Sequence, residues 1–93
     1  MPITVQIPSA LRLHSRGSSV VSLDAHYDSV REALDALEVY CPGVVDRVLT
    51  EQGALREHVN VFVDNENTRD MQGLGTPVGD AATITILAAI SGG

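Results

Sequence analysis

Only one stretch of the chain repeats its apolar residues with a sustained helical period, and that stretch carries its own start signal. Ser29-Val30-Arg31-Glu32 has the S-x-x-E spacing of a capping box. In that arrangement the serine oxygen accepts from the amide three residues on, and the glutamate reaches back to the cap. Asp28 and Glu32 place negative charge at the positive end of the helix dipole. Val30, Ala33, Leu34, Leu37 and Cys41 then fall at i, i+3, i+4, i+7 and i+11, one apolar stripe. Pro42-Gly43 predicts the stop.

The segments on either side alternate with period 2 instead. Ile3, Val5 and Ile7 interleave with Thr4 and Gln6, and Pro8 ends the run. Leu11 and Leu13 are placed to cap the core, and residues 14–19 read as turn. Residues 20–23 read as a second strand, so the pair predicts a hairpin with a long loop. Residues 44–53 are ambiguous, with Val45, Val48 and Leu49 at the spacing of a short helical turn. Residues 55–64 read as a strand with Val59, Val61 and Val63 on one face and Asn60 and Phe62 on the other. Asp64 to Asn67 is a turn of Asx type, residues 71–79 a Gly- and Pro-containing loop, and residues 83–87 a β-branched final strand.

The order β-β-α-β-β, with a small extra strand near Thr68, predicts an α+β fold. One main helix lies across one face of a mixed sheet of four to five strands. The first and last strands lie parallel in the centre, and right-handed crossover sets the side the helix occupies. This is the β-grasp arrangement of ubiquitin. A chain of 93 residues with 44% hydrophobic and 19% charged residues suits one such domain, expected over residues 1–90 with a flexible tail at 91–93.

Charge narrows the partners. The net charge is −6, which disfavours nucleic acid and anionic membranes. All six basic residues are Arg, so the chain offers no lysine for conjugation to itself. A single cysteine excludes an internal disulfide framework. No signal peptide or membrane span is legible, which makes the cytoplasm the expected location.

Most chemistry-bearing residues read as structural. His14, His26 and His58 have no ligand spacing and predict surface histidines rather than a metal site. Cys41 lies on the apolar stripe and reads as a small buried hydrophobe. Gly73-Leu74-Gly75 lacks the strand-to-helix context of a phosphate loop. Asp24, Asp28, Asp64 and Glu66 sit at turns, where solvation and capping account for them. Phe62, the single Phe, faces away from the valines of its strand, as Leu87 is out of phase with Ile84 and Ile86. The two form either an exposed apolar docking patch or a surface covered by a loop.

The end of the chain carries the sharpest signal. The last strand runs without a turn into Ile90-Ser91-Gly92-Gly93. Two glycines without Cβ can thread a narrow channel and present a carboxylate at its end. With the β-grasp order, the capped helix, the VNVFVDNE strand and turn, and Gly79-Asp80 before the last strand, this ending resembles the ThiS/MoaD family of sulfur carriers over the whole chain. The layout is most similar to the cysteine-biosynthesis (CysO-type) carriers. Ala81-Ala82, where polar residues are common, and the ending Ala88-Ala89-Ile90-Ser91-Gly92-Gly93 depart from the family pattern and leave the acceptor open.

The resemblance implies a mechanism. A ubiquitin-activating-type enzyme adenylates Gly93 with Mg-ATP, sulfur replaces AMP, and the resulting thiocarboxylate delivers sulfur to a biosynthetic acceptor. That acceptor makes cysteine, through a cysteine-synthase-like PLP enzyme acting as partner, or a metabolite such as a thiosugar. Gly92 and Gly93 are then the functional residues, Phe62, Leu87, Ile90 and Ser91 meet partners, and the chain itself binds no cofactor or metal and is not an enzyme. Molybdopterin synthase small subunits, thiamin-thiazole carriers and ubiquitin-like protein modifiers are the alternatives.

Overall fold

The computed structural model describes residues 2–88, and its sheet is built around the two segments at the ends of the chain. Strand β1 (Ile3–Gln6) pairs antiparallel with β2 (Val20–Leu23) and parallel with β5 (Thr83–Ala88). On the other side β5 pairs antiparallel with β3 (Val59–Val63), which pairs with the two-residue β4 (Glu66–Asn67). The order β2-β1-β5-β3-β4 puts β1 and β5 at the inner positions, as the strand pattern predicts, and completes the β-grasp.

Helix α1 (Val30–Tyr40) begins at its expected cap: Ser29 Oγ accepts from the Glu32 amide at 3.3 Å, while Glu32 Oε1 reaches one residue beyond the cap and accepts from the Asp28 amide at 3.3 Å. Its stripe of Val30, Ala33, Leu34 and Leu37 is buried against Ile3, Val5, Ile84, Ile86 and Val61, which are the inward-facing residues of three strands. Deep burial of such side chains contributes about 1.5–3 kcal/mol each and holds helix to sheet. Cys41 is buried at the end of the stripe.

Pro42-Gly43 marks the end of the capped helix as expected, with α1 stopping at Tyr40, and Pro42 then occupies the first turn of a second helix, α2 (Pro42–Val48), where its missing N–H costs nothing. This resolves the ambiguous stretch, since Val44, Val45 and Val48 are buried. Leu13 does not cap the core; it is 85% exposed, whereas Leu11 is buried, because the hairpin loop winds into a 3-10 helix (Ser9–Ser15) that turns the two leucines to different sides. The strand expected over 55–64 is shorter, Val59–Val63, with Leu55 making only an isolated bridge to Leu49. The loop 71–79 contains a 3-10 turn, Gly73–Gly75.

Two loops are tied at the end of the sheet where β5 begins. Asp64, at φ 55°, donates its amide to Thr83 O at 2.7 Å and accepts from the Thr83 amide at 3.1 Å. The left-handed backbone that an Asp tolerates better than most residues makes this turn. His26 bridges Asp80 (3.2 Å) and Asp28 (2.9 Å), joining the β2–α1 connection to the loop before β5.

Candidate functional site

The strand that leads into the tail is also the most supported one. Ile84 and Ile86 of β5 are buried in the core, so alternation turns Thr83, Thr85 and Leu87 to the opposite, open face of the sheet. β1 contributes Thr4 and Gln6 to this face, and Thr85 Oγ1 donates to Gln6 Oε1 at 3.1 Å. β3 contributes Asn60, directly opposite Leu87, and Phe62, opposite Thr85. None of these strand positions carries a charge, on a chain of net charge −6.

Phe62 and Leu87 are therefore diagonal neighbours, as their phase in the sequence predicts. Leu87 is 48% exposed and Phe62 half-buried. With Asp64, Asn65 and Thr85 they line a shallow depression of about 270 Å³. On the other side of Leu87 lies a second depression of about 310 Å³, reached by Gln6, Arg12, Val20 and Thr85. Leu87 is the ridge between the two, immediately before the tail.

Two arginines that pattern reading passes over flank this end of the sheet. Arg12 lies on the β1 side and donates Nε to Ile7 O at 3.1 Å. Arg69 lies on the β3 side, donating Nε to Asn60 Oδ1 at 3.0 Å and Nη2 to Arg56 O at 2.7 Å, Val59 O at 2.8 Å and Glu57 O at 3.3 Å. Its fork satisfies carbonyls just where β3 begins, a task a lysine cannot match geometrically. Nothing in the spacing of either Arg in the sequence signals these roles. Ile90, Ser91, Gly92 and Gly93 lie outside the described residues.

The remaining candidate groups stay apart from this face. Among the described residues no group of His, Cys, Asp and Glu is arranged to hold a metal ion, and no helix is long and apolar enough to cross a membrane. His26 sits at the other end of the sheet. The hydrogen bond to Asp80, then that to Asp28 and the latter's charge, raise its pKa above the ordinary imidazole value. The spacing of the three histidines did not reveal this bridge, because Asp80 is brought to His26 only by the fold.

A β-grasp sheet whose central strand carries the carboxyl-terminal tail, beside an uncharged face, defines a ubiquitin-like protein. The model of the ThiS family matches residues 5–93, and the chain belongs to that family. It is 36% identical over 95 residues to the "Sulfur carrier protein CysO" of Mycobacterium tuberculosis (strain ATCC 25618 / H37Rv), covering all of both chains. Among solved structures it is similar to one from the Amycolatopsis orientalis BexX/CysO complex, at TM-score 0.86 and 37% identity over 98% of this chain and 99% of that one. SAMP1 from Haloferax volcanii is similar at TM-score 0.83 and 28% identity, with both chains fully covered.

Proposed function

We propose that this protein is a sulfur carrier whose Gly93 carboxylate is converted to a thiocarboxylate, with cysteine biosynthesis as the first pathway to test. The full-length match to sulfur carrier proteins, in a family match that runs through Gly92-Gly93, carries this reading. The chemistry is simple to state. A carboxylate is a poor electrophile, so an activating enzyme joins Gly93 to AMP, with pyrophosphate leaving from ATP. Sulfide displaces AMP to give the thiocarboxylate directly; a protein persulfide displaces AMP to give an acyl disulfide, whose S–S bond a second thiol cleaves, forming a disulfide and releasing the thiocarboxylate. That sulfur becomes the nucleophile in the acceptor enzyme.

The chain's own residues supply presentation, not catalysis. β5 is held on both sides by strand pairing, so the tail leaves from a fixed point, and Gly92-Gly93 offers the narrowest backbone for an enclosed active site. Leu87 and Phe62 give the activating and acceptor enzymes an apolar surface beside the tail, with Ile90 and Ser91 as the tail's own contacts. The chain acts as co-substrate, with a ubiquitin-activating-type enzyme and a cysteine-synthase-like or related acceptor enzyme as partners. The test is an intact mass spectrum after incubation with the activating enzyme, Mg-ATP and sulfide. Replacement of one oxygen by sulfur at the terminal residue is expected, and an unchanged carboxylate overturns the reading.

A second reading has a specific observation behind it. The similarity to SAMP1, described as small archaeal modifier protein 1, favours transfer of the same activated glycyl group to a lysine amine of another protein. Covalent conjugates ending in this chain's Gly93, isolated from cells, decide for it.

A further inference from the structure

The β2 edge of the sheet has the chemistry of a peptide-binding site. β2 is the outermost strand, and Ile7 N donates to Ser19 O at 2.8 Å. Antiparallel alternation then turns Val21 and Leu23 to bond β1 and leaves the backbone N–H and C=O of Val20 and Ser22 pointing outward. Open edges are commonly blunted with charge, proline or brevity. The opposite edge, β4, is two residues long and contains Glu66. β2 is four residues of Val-Val-Ser-Leu with none of these devices.

A groove of about 350 Å³ runs beside β2, between it and the end of α1. Val20, Val21, Val39, Tyr40 and Cys41 line it together with Arg16. Val39 is 82% exposed and Tyr40 62%, an exposed pair on the groove's helical side. Charge identifies the occupant. Residues 1–23 hold Arg12 and Arg16 and no acidic residue, whereas the remainder holds all twelve acids and four Arg. Of these, Arg16 lines the groove and is the one charged residue that does, so the groove's lining is positive on an acidic protein. A second copy, itself of net charge −6, is repelled as a whole.

We infer that β2 and the groove bind an extended, acidic segment of a partner protein. The segment adds to the sheet as a sixth strand. Its main chain bonds Val20 and Ser22, alternate apolar side chains lie on Val39 and Tyr40, and a carboxylate meets Arg16. This surface adjoins the Leu87 face at Val20, which lines both the groove and the depression beside Leu87.

The probe is acetyl-Asp-Glu-Val-Ile-Val-Thr-amide, titrated into 15N-labelled protein and followed by amide shifts. Expected are saturable shifts at Val20, Ser22, Val39 and Tyr40, weakened about tenfold by Arg16→Glu and by molar salt. Ser22→Pro removes an outward donor without touching the β1 ladder, so it abolishes binding while the spectrum stays dispersed. Absence of shifts at millimolar peptide overturns the inference. So does equal binding of the twin peptide with lysine in place of both acids, or shifts confined to Leu87 and Phe62. Concentration-dependent self-association that Ser22→Pro abolishes makes a second copy the occupant and overturns it as well. None of these outcomes depends on sulfur loading at Gly93.

Discussion

Two buried threonines with different surroundings give a quantitative test of the packing that supports the tail-bearing strand. Thr68 and Thr76 are both 0% exposed. The Thr76 hydroxyl donates to Gly73 O at 2.7 Å and accepts from the Gln72 amide at 3.2 Å. The Thr68 hydroxyl, in the 3-10 turn Thr68–Asp70 that packs on β3, has no partner among the described residues. A buried hydroxyl left unpaired costs about 1–3 kcal/mol, and valine has nearly the same shape. Thr68→Val also adds a buried methyl in place of that oxygen, worth about 0.8 kcal/mol at most. The expected gain is about 1–2 kcal/mol, a rise in Tm of about 4–8 °C per kcal/mol for a domain of this size. Thr76→Val breaks two hydrogen bonds and is expected to lose about 1–2 kcal/mol. Urea unfolding followed by circular dichroism reads both, with the midpoint moving and the slope unchanged. If Thr68→Val is neutral or destabilising, its hydroxyl has a partner in solution and the reasoning fails. If both variants shift the same way, the hydrogen-bond assignment fails.

Other consequences are equally direct. Arg69→Ala removes the fork that gathers Arg56 O, Val59 O and Asn60 and is expected to cost about 1–3 kcal/mol in urea melts, with Arg69→Lys recovering less than half. Leu87→Asp puts a charge on the ridge of the uncharged face. It is expected to raise KM of the activating enzyme at least about tenfold with the melting curve unchanged, because binding faces lose most when a charge enters their apolar centre. The folded-state pKa of His26 lies above its unfolded value near 6.5, so its bridge to Asp80 and Asp28 stabilises the fold below that pH. That contribution disappears as pH rises through the raised pKa. The difference in urea midpoint between the parent and His26→Gln is therefore expected at acidic pH and to vanish at alkaline pH; a difference independent of pH refutes the linkage.

What the sequence determines by itself is whatever repeats locally. The capping box at Ser29 and Glu32, the 30-33-34-37 stripe, and the alternation in β1, β3 and β5 are each a short-range pattern with a physical period. A one-residue slip would bury polar side chains, so these patterns define element type and facing. They also separate Leu87 and Phe62 from their core-facing neighbours. The order of elements then leaves few ways to cover one sheet face with one helix. The Gly92-Gly93 ending is legible for a similar reason, because adjacent terminal glycines answer no packing need.

Tertiary structure decides what depends on residues far apart or on competing local signals. Pro42 ends α1 and also opens α2, because proline suits a first turn as well as a break, and burial of Val44, Val45 and Val48 settles the ambiguous stretch after it as helix. Leu11 and Leu13 look alike in sequence, and only the 3-10 winding of their loop buries one and exposes the other. Arg69 reaches back 13 positions to Arg56 O, and His26 meets Asp80 across 54. No spacing rule relates such pairs: the turn from β3 to β4 brings Arg69 back to Arg56, and Asp80 comes to His26 only when β5 inserts between β1 and β3. That insertion also creates the uncharged face, because it is assembled from strands that are neighbours only in space.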